Sequence, residues 1–557
     1  MAGGVLARRE LGLRPADPSR PEPGPGAARR ALLRAVLLVA ALTAVLVLPP
    51  IGQRPVDTTD EARFVLYARE VLAQRALFDV RLRGKLFREK PPLYAWSIAA
   101  LSLPRGRVSE ATAHAPVALA AIGVAVFTVL LGERLFGLRA GLWAGLVLAT
   151  TLGFFRYSQV LLPDMLVAFF AVAAAYWLWR AMAESAGRGA LTVFYVALAL
   201  AVYAKGPVGL LPLLVGIVWI WSQDGPRAVA RLWSAPGAVL FVAITLTWLL
   251  PFLTLGTGTF ASTVLWDDWL TWYAGGPGRA ALRVASDALG FFLPWILVFP
   301  LIVARAVPER HSPAVRYTLL SCLVPVLVVL VSANYRTRYL LPAAPGFALL
   351  VAWWADRHGS ERTRVGQFIG WACLAGGALA TAALFVGSRW GLGPRWPDLR
   401  GFWLALVPLA LGGWGMVLSL WAGLRGGRPA LLVGGTAAAM VIILGYGTWF
   451  DLKRSGERAD VRHLAARLER HANSRQVGVL FETGWLEVDF YLGRPVREIE
   501  AELELEAFLA RDGGAVLASE AVWNEIKGHV WPQVRPLERI SISGKPFVIL
   551  GWARSPD

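Results

Sequence analysis

Residues 57–64 read DTTDEARF and place Asp60 beside Glu61 directly after an apolar run. Carboxylates at such a position either punctuate a helix start or handle protons. Thr58 and Glu61 have the spacing of a capping box, with Thr58 as N-cap and Glu61 reaching back to its amide. That assignment gives Glu61 a structural task and leaves Asp60 without one. Four later stretches carry charge in apolar surroundings. LFREKPPLYAW (86–96) sets Glu89 and Lys90 before a proline pair suited to opening a helix over 93–103. FFRYSQVLLPDMLVAFF (154–170) puts Asp164 at the mouth of an apolar span, YAKGPVGLLP (203–212) puts Lys205 between two spans, and SANYRTRYLLPAAP (332–345) sets Arg336 and Arg338 on a short turn. Together they supply a carboxylate to accept a proton and cations to hold an anion, phosphate above all.

Each residue also has a plainer reading. Asp164 after Pro163 complements a helix dipole, and Lys205 snorkels from a span end. Glu89 and Lys90 form an exposed ion pair worth about 0–1 kcal/mol. Arg336 and Arg338 serve lipid headgroups in general. Arg63, Arg83 and Lys90 are grouped as a phosphate surround because acids and bases interleave through residues 51–110.

The elements that must position these groups are membrane helices. The 557 residues are 56% hydrophobic with 25 Trp, and only 17% are charged, below the soluble norm. Apolar runs predict about 13 spans by the length needed to cross hydrocarbon: 31–50, 113–132, 138–156, 161–181, 190–204, 206–222, 236–256, 286–304, 316–332, 338–355, 366–387, 401–424 and 429–450. Residues 1–30, rich in Pro, Gly, Ala and Arg, read as a disordered basic cytoplasmic tail. Arg134, Arg139, Arg180, Arg188, Arg227, Arg231, Arg305, Arg357 and Arg425 then fall on alternate loops of the same side. The positive-inside rule makes that side cytoplasmic and puts 51–110 and the C-terminus outside. Residues 64–72 carry an apolar face expected to lie on the bilayer.

The net charge of +18 is spread over short loops, which fits topology and argues against nucleic acid. Cys322 and Cys373 sit in apolar runs as buried hydrophobes, and the six His form no ligand pair. From about 456 the pattern alternates helix and strand: helices near 461–470 and 502–510, strands near 477–481, 515–518 and 546–551. This predicts a small α/β domain over 456–557, outside the membrane, after a transmembrane domain over 31–455.

DEARFVLYAREVL and LFREKPPLYAW, followed in order by LLPDMLVAFF, YAKGPVGLLP and RYLLPAAP, resemble the bacterial ArnT-like glycosyltransferases, a family that includes the lipid A aminoarabinose transferases and is related to protein O-mannosyltransferases. The resemblance covers 31–450 and, more loosely, the C-terminal domain. It implies a GT-C fold: 13 spans, juxtamembrane helices in the first external loop and an external soluble domain in the bacterial inner membrane. It implies a polyprenyl-phosphate sugar donor and transfer at the periplasmic face to a lipid, glycan or protein acceptor. By the same resemblance Asp60 is the catalytic acid, with Arg63 beside it. Glu89 and Lys90 match the E-K-P pair, Asp164 and Lys205 the later acid and lysine. Arg336, Arg338 and Tyr339 lie in the carrier-phosphate segment. Glu89 and Asp164 are also candidates to orient the acceptor or to hold Mg²⁺, Mn²⁺ or Ca²⁺. The chain departs from the aminoarabinose pattern where Asp267 is followed by Thr271 in place of an arginine, with Arg279 or Arg283 as stand-ins, and where Tyr335 replaces a lysine.

Three functions fit these residues. The first is transfer of a sugar to a lipid A-like or other glycan acceptor with Asp60 as general base, and the second is transfer to protein Ser or Thr. A lipid-linked sugar transporter is the third; transporters carry internal repeats and midplane charges, and no repeat is evident here.

Overall fold

The computed structural model describes residues 24–75, 77–87, 90–184, 186–254, 280–332, 335–389, 399–455, 461–472, 475–481, 485–512, 514–542 and 545–553. Glu89, Asp267, Thr271 and Arg279 therefore lie outside the described residues. Helical segments occupy all thirteen expected positions, though not as thirteen equal spans. Among the described residues, ten helices are long and apolar enough to cross a membrane, and an eleventh candidate is the pair Leu282–Phe291 and Trp295–Ala306, bent by 108°. The other two are short. Leu138–Ala149 has 12 residues, about 18 Å of helix. Ala344–His358 has 15 and is buried from Ala344 through Ala355, which makes it a central post. Outward-facing Leu33, Leu37, Val239, Phe368 and Leu379 are exposed in the chain alone, as a surface meant for lipid requires. The chain is a multi-pass membrane protein.

The first helix begins at Pro25, with proline in its first turn, so 25–30 extend that span where a disordered tail was expected. Small residues set the bundle's closest approach. A Cβ on Gly132 would sit 2.8 Å from the Cα of Gly141, so only glycine lets Glu110–Phe136 and Leu138–Ala149 touch backbone to backbone.

Between the first two spans, Thr59–Gln74 forms the expected helix but not the expected surface-lying one. Ala62, Phe64, Val65, Leu66, Tyr67, Ala68 and Val71 are all buried, too wide an arc for one apolar face. Leu93–Ser102 covers one side, and Leu486–Leu492 of the C-terminal domain packs on the same helix. A hairpin, β1 (Arg81–Leu82) and β2 (Lys85–Leu86), follows it.

The C-terminal domain is α/β, as its alternating pattern predicts. Strands β3 (Val477–Leu480), β4 (Arg497–Ile499), β5 (Ala515–Ser519), β6 (Val534–Ile542) and β7 (Lys545–Trp552) form one sheet in the order β4-β3-β5-β7-β6. β3 runs parallel to β4 and β5, and β7 is antiparallel to β5 and β6. β3 is buried at every residue, as a strand covered on both faces must be. Val461, Leu464 and Leu468 pack one face; Leu505, Phe508, Leu509 and Trp523 pack the other. β4, β6 and the helices Leu486–Leu492 and Glu520–Ile526 were not foreseen, because each is short or mixed in composition.

Candidate active site

The capping geometry at the start of the Asp60 helix is half of what the sequence predicts. The Glu61 amide donates to Thr58 Oγ1 at 3.2 Å. The Glu61 carboxylate, only 1% exposed, does not return to Thr58. It accepts from the Asp57 amide at 3.1 Å, from Arg54 at 2.9 Å and from the Leu161 amide at 3.0 Å. Glu61 thus ties the Asp60 helix to the segment that leads into Asp164. Arg54, which the sequence reading passed over, also donates to the Gln159 carbonyl, as does the His114 ring at 2.7 Å if its Nε2 carries the proton.

Asp164 opens its helix directly after Pro163, and Lys205 closes another before Gly206. Gly206 takes φ +80° and ψ −146°, a backbone conformation open mainly to glycine, and releases the chain into Pro207. The RYLLP stretch coils as a 3₁₀ segment, Thr337–Ala343, anchored by fully buried Leu340 and Leu341. These three positions converge. Lys205 Nζ donates to Asp164 Oδ1, and Arg338 Nε lies 3.6 Å from Asp164 Oδ2. The same guanidinium is 3.7 Å from Asp60 Oδ2, and Arg63 is 3.6 Å from Asp60 Oδ1. Arg63, Asp60, Arg338, Asp164 and Lys205 therefore form one alternating chain of charge. The Tyr339 ring lies beneath it, 4.4 Å from Lys205 Nζ and 5.6 Å from the Arg338 guanidinium, within cation–π range.

A cleft opens at this chain, with about 880 Å³ of empty space including its solvent-open part. Lys90, Asp164, Lys205, Arg338, Tyr339 and Ser332 line its polar end. Val167, Val208, Leu211, Val328 and Val329, with Pro207, Pro325 and Pro342, make the apolar remainder. A second apolar space shares Leu211, Pro325 and Pro342 and continues past Ala171, Tyr317 and Gly346. The prolines were the available signal for this groove. Pro325 stands inside an otherwise apolar helix, where proline costs a hydrogen bond and bends the chain.

Asp60, Arg63, Lys90, Asp164, Lys205, Arg338 and Tyr339 are thus brought together. Arg336 is exposed at the start of its segment and does not line the cleft. Arg83 leaves the expected phosphate group altogether. It binds both oxygens of Asp489 at 2.6 and 2.8 Å and Glu498 at 2.9 Å. Arg283 has no described contact with the charge chain. Asp164 faces two cations, and among the described residues no group of three His, Cys, Asp or Glu could hold a metal ion.

Residues 76–261 match the family described as dolichyl-phosphate-mannose-protein mannosyltransferase, and more than nine-tenths of the chain superposes on a solved transferase. The chain has a fold of the GT-C type seen in membrane glycosyltransferases. Its fold is that of ArnT from Cupriavidus metallidurans. The structure of that protein bound to undecaprenyl phosphate has a TM-score of 0.73 at 18% identity, covering 92% of this chain and 97% of that one. Its apo structure gives 0.74 at 18% identity, with 93% and 98% covered. In sequence the chain is 27% identical over 445 residues to the undecaprenyl phosphate-alpha-4-amino-4-deoxy-L-arabinose arabinosyl transferase of Pectobacterium carotovorum subsp. carotovorum, covering 73% of this chain and 76% of the relative. In sequence and in fold alike the chain is similar to ArnT transferases.

Proposed function

We propose that this protein transfers a sugar from a polyprenyl-phosphate carrier, undecaprenyl phosphate in a bacterium, to a hydroxyl of a lipid A-like or other glycan acceptor at the periplasmic face. The observation that carries this reading is the alternating charge chain at the polar end of an apolar cleft. Four cations, Lys90, Lys205, Arg63 and Arg338, stand with two carboxylates, an excess of positive charge suited to a phosphate. The apolar groove below suits an isoprenoid.

In the reaction the acceptor hydroxyl attacks the anomeric carbon and its proton passes to Asp60, which is half exposed and open to an incoming ligand. The bond from the anomeric carbon to the phosphate oxygen breaks, and the phosphate gains negative charge. Arg338 and Lys205 are already held in place by Asp164, so they meet that charge without reorganising. Asp164 acts by positioning them. The relatives' names support the donor: one is an undecaprenyl phosphate arabinosyl transferase and a solved neighbour binds undecaprenyl phosphate. Loop charge supports the periplasmic placement. Transfer to protein is the second reading, favoured by the mannosyltransferase match over 76–261.

The test is the purified protein in lipid vesicles, given labelled polyprenyl-phosphate sugars with lipid A or peptide acceptors. Label on lipid A supports the first reading and label on peptide the second; failure with every donor contradicts both. An EDTA arm reads whether a divalent cation enters at Asp164 in competition with Lys205 and Arg338.

A further inference from the structure

The C-terminal domain grips the two segments that carry the site's outward-facing groups. Its helix Leu486–Leu492 packs against the start of the Asp60 helix. The Val56 amide donates to Tyr491 Oη at 2.8 Å, and Thr59 Oγ1 donates to Glu487 Oε2 at 3.0 Å. These bonds flank the N-cap, one on each side of Thr58, and Thr59 is the residue next to Asp60. Nearly three turns further along the same helix, Arg69 donates to the Asp489 carbonyl at 3.2 Å. Glu487 and Asp489 are 6% and 2% exposed. Burial pushes both carboxyls above their ordinary values, opposed for Glu487 by backbone and Thr59 hydrogen bonds and for Asp489 by Arg83.

The hairpin between β1 and β2 is held by the same helix. Its two turn residues, Arg83 and Gly84, have φ of +49° and +77°, the pairing that Asn-Gly satisfies most readily. Arginine in a left-handed conformation is unfavourable in itself. Its guanidinium repays this by binding Asp489 twice, Glu498 once and the Trp485 carbonyl at 3.3 Å. Lys85 adds a contact to Glu498 at 3.2 Å. The strand that leaves this hairpin leads within a few residues to Lys90 in the cleft wall. Buried charges paired across two domains are costly unless the pairing is complete, and here every carboxylate of the short helix is turned toward the transferase domain or its hairpin.

We propose that helix Leu486–Leu492 is a positioning clamp for the active site: Tyr491 and Glu487 fix the entry of the Asp60 helix, and Asp489 fixes the hairpin that leads to Lys90. The C-terminal domain then contributes to the rate without touching the substrate. Its kinetic part rests on the transfer reaction proposed above, while its structural part does not.

Two measurements on the full-length protein separate these parts. The first is amide hydrogen exchange over peptides spanning 55–70 in Tyr491→Phe, Glu487→Leu and Thr59→Val. Faster exchange at 56–62, with exchange in Glu110–Phe136 unchanged, is the expected result whatever the reaction proves to be. The second is steady-state transfer. The expected result is a fall in kcat of about tenfold or more with donor KM within about twofold, because small misplacement of a reacting group is expensive. Thr59→Val combined with Glu487→Leu falls no further than either alone, since both remove one bond. Arg539→Ala, in an exposed pair with Glu520 elsewhere on the domain, leaves both readouts unchanged. Unaltered exchange at 56–62 overturns the clamp. So does altered exchange with full kcat, or a loss that appears as donor KM and general unfolding. Altered exchange in a protein whose wild type transfers no sugar upholds the clamp and overturns the proposed function.

Discussion

Arg338 is the residue on which the site turns, because its one guanidinium faces both Asp60 and Asp164. A planar, permanently charged fork can span two carboxylates and still present an edge to phosphate; an ammonium cannot. Arg338→Lys is therefore expected to lose donor affinity by tenfold or so, nearly as much as Arg338→Ala, as read by binding of undecaprenyl phosphate. Asp164→Asn strips the shared partner from Lys205 and Arg338 in a poorly hydrated setting. It should lower stability by about 3 kcal/mol in detergent thermal unfolding and weaken donor binding as well. The sequence made these residues visible singly, since an acid or lysine beside an apolar span stands out. Their mutual pairing was not visible, because Lys205 and Asp164 are 41 residues apart and Arg338 is further still.

Among the elements, the Asp60 helix shows most clearly what the sequence could and could not reveal. Its start at Thr58 was legible from local chemistry. Its burial was not, because the covering partners come from Leu93–Ser102 and from a domain more than 400 residues away. Glu61 shares that limit. Its capping role was readable, while its bonds to Arg54 and the Leu161 amide depend on tertiary structure. Glu61→Gln leaves Arg54 beside a neutral group and should cost about 2–4 kcal/mol, with exchange rising at both 57–62 and 158–164. In the C-terminal domain, Glu538 is held below the ordinary carboxylate range by the His471 hydrogen bond first and by Arg467 next. Stability from a depressed carboxyl is present above its unfolded pKa and disappears as pH falls through the folded one. The domain should thus melt lower as pH drops below about 4.5, and Glu538→Gln should flatten that dependence in a thermal scan.

The whole molecule joins a lipid-facing bundle to a soluble domain that bears on one end of it. The bundle's expected thirteen helical positions were legible from hydropathy, but their lengths were not. Ala344–His358 is short because it is a buried post with no need to match the bilayer, and the helix pair around residues 291–295 is sharply bent. The proposed orientation has its own check. After Cys322 and Cys373 are replaced, a cysteine at exposed Leu77 is expected to react with a membrane-impermeant thiol reagent in spheroplasts, while one at Arg310 is not. The central claim is that Asp60 takes the acceptor's proton within a phosphate site built by its neighbours. Asp60→Asn tests it most directly, with undecaprenyl-phosphate affinity and single-turnover sugar transfer measured on the same preparation. The account predicts carrier binding within about threefold of wild type and transfer slowed by at least about a hundredfold. Transfer at the wild-type rate would contradict it.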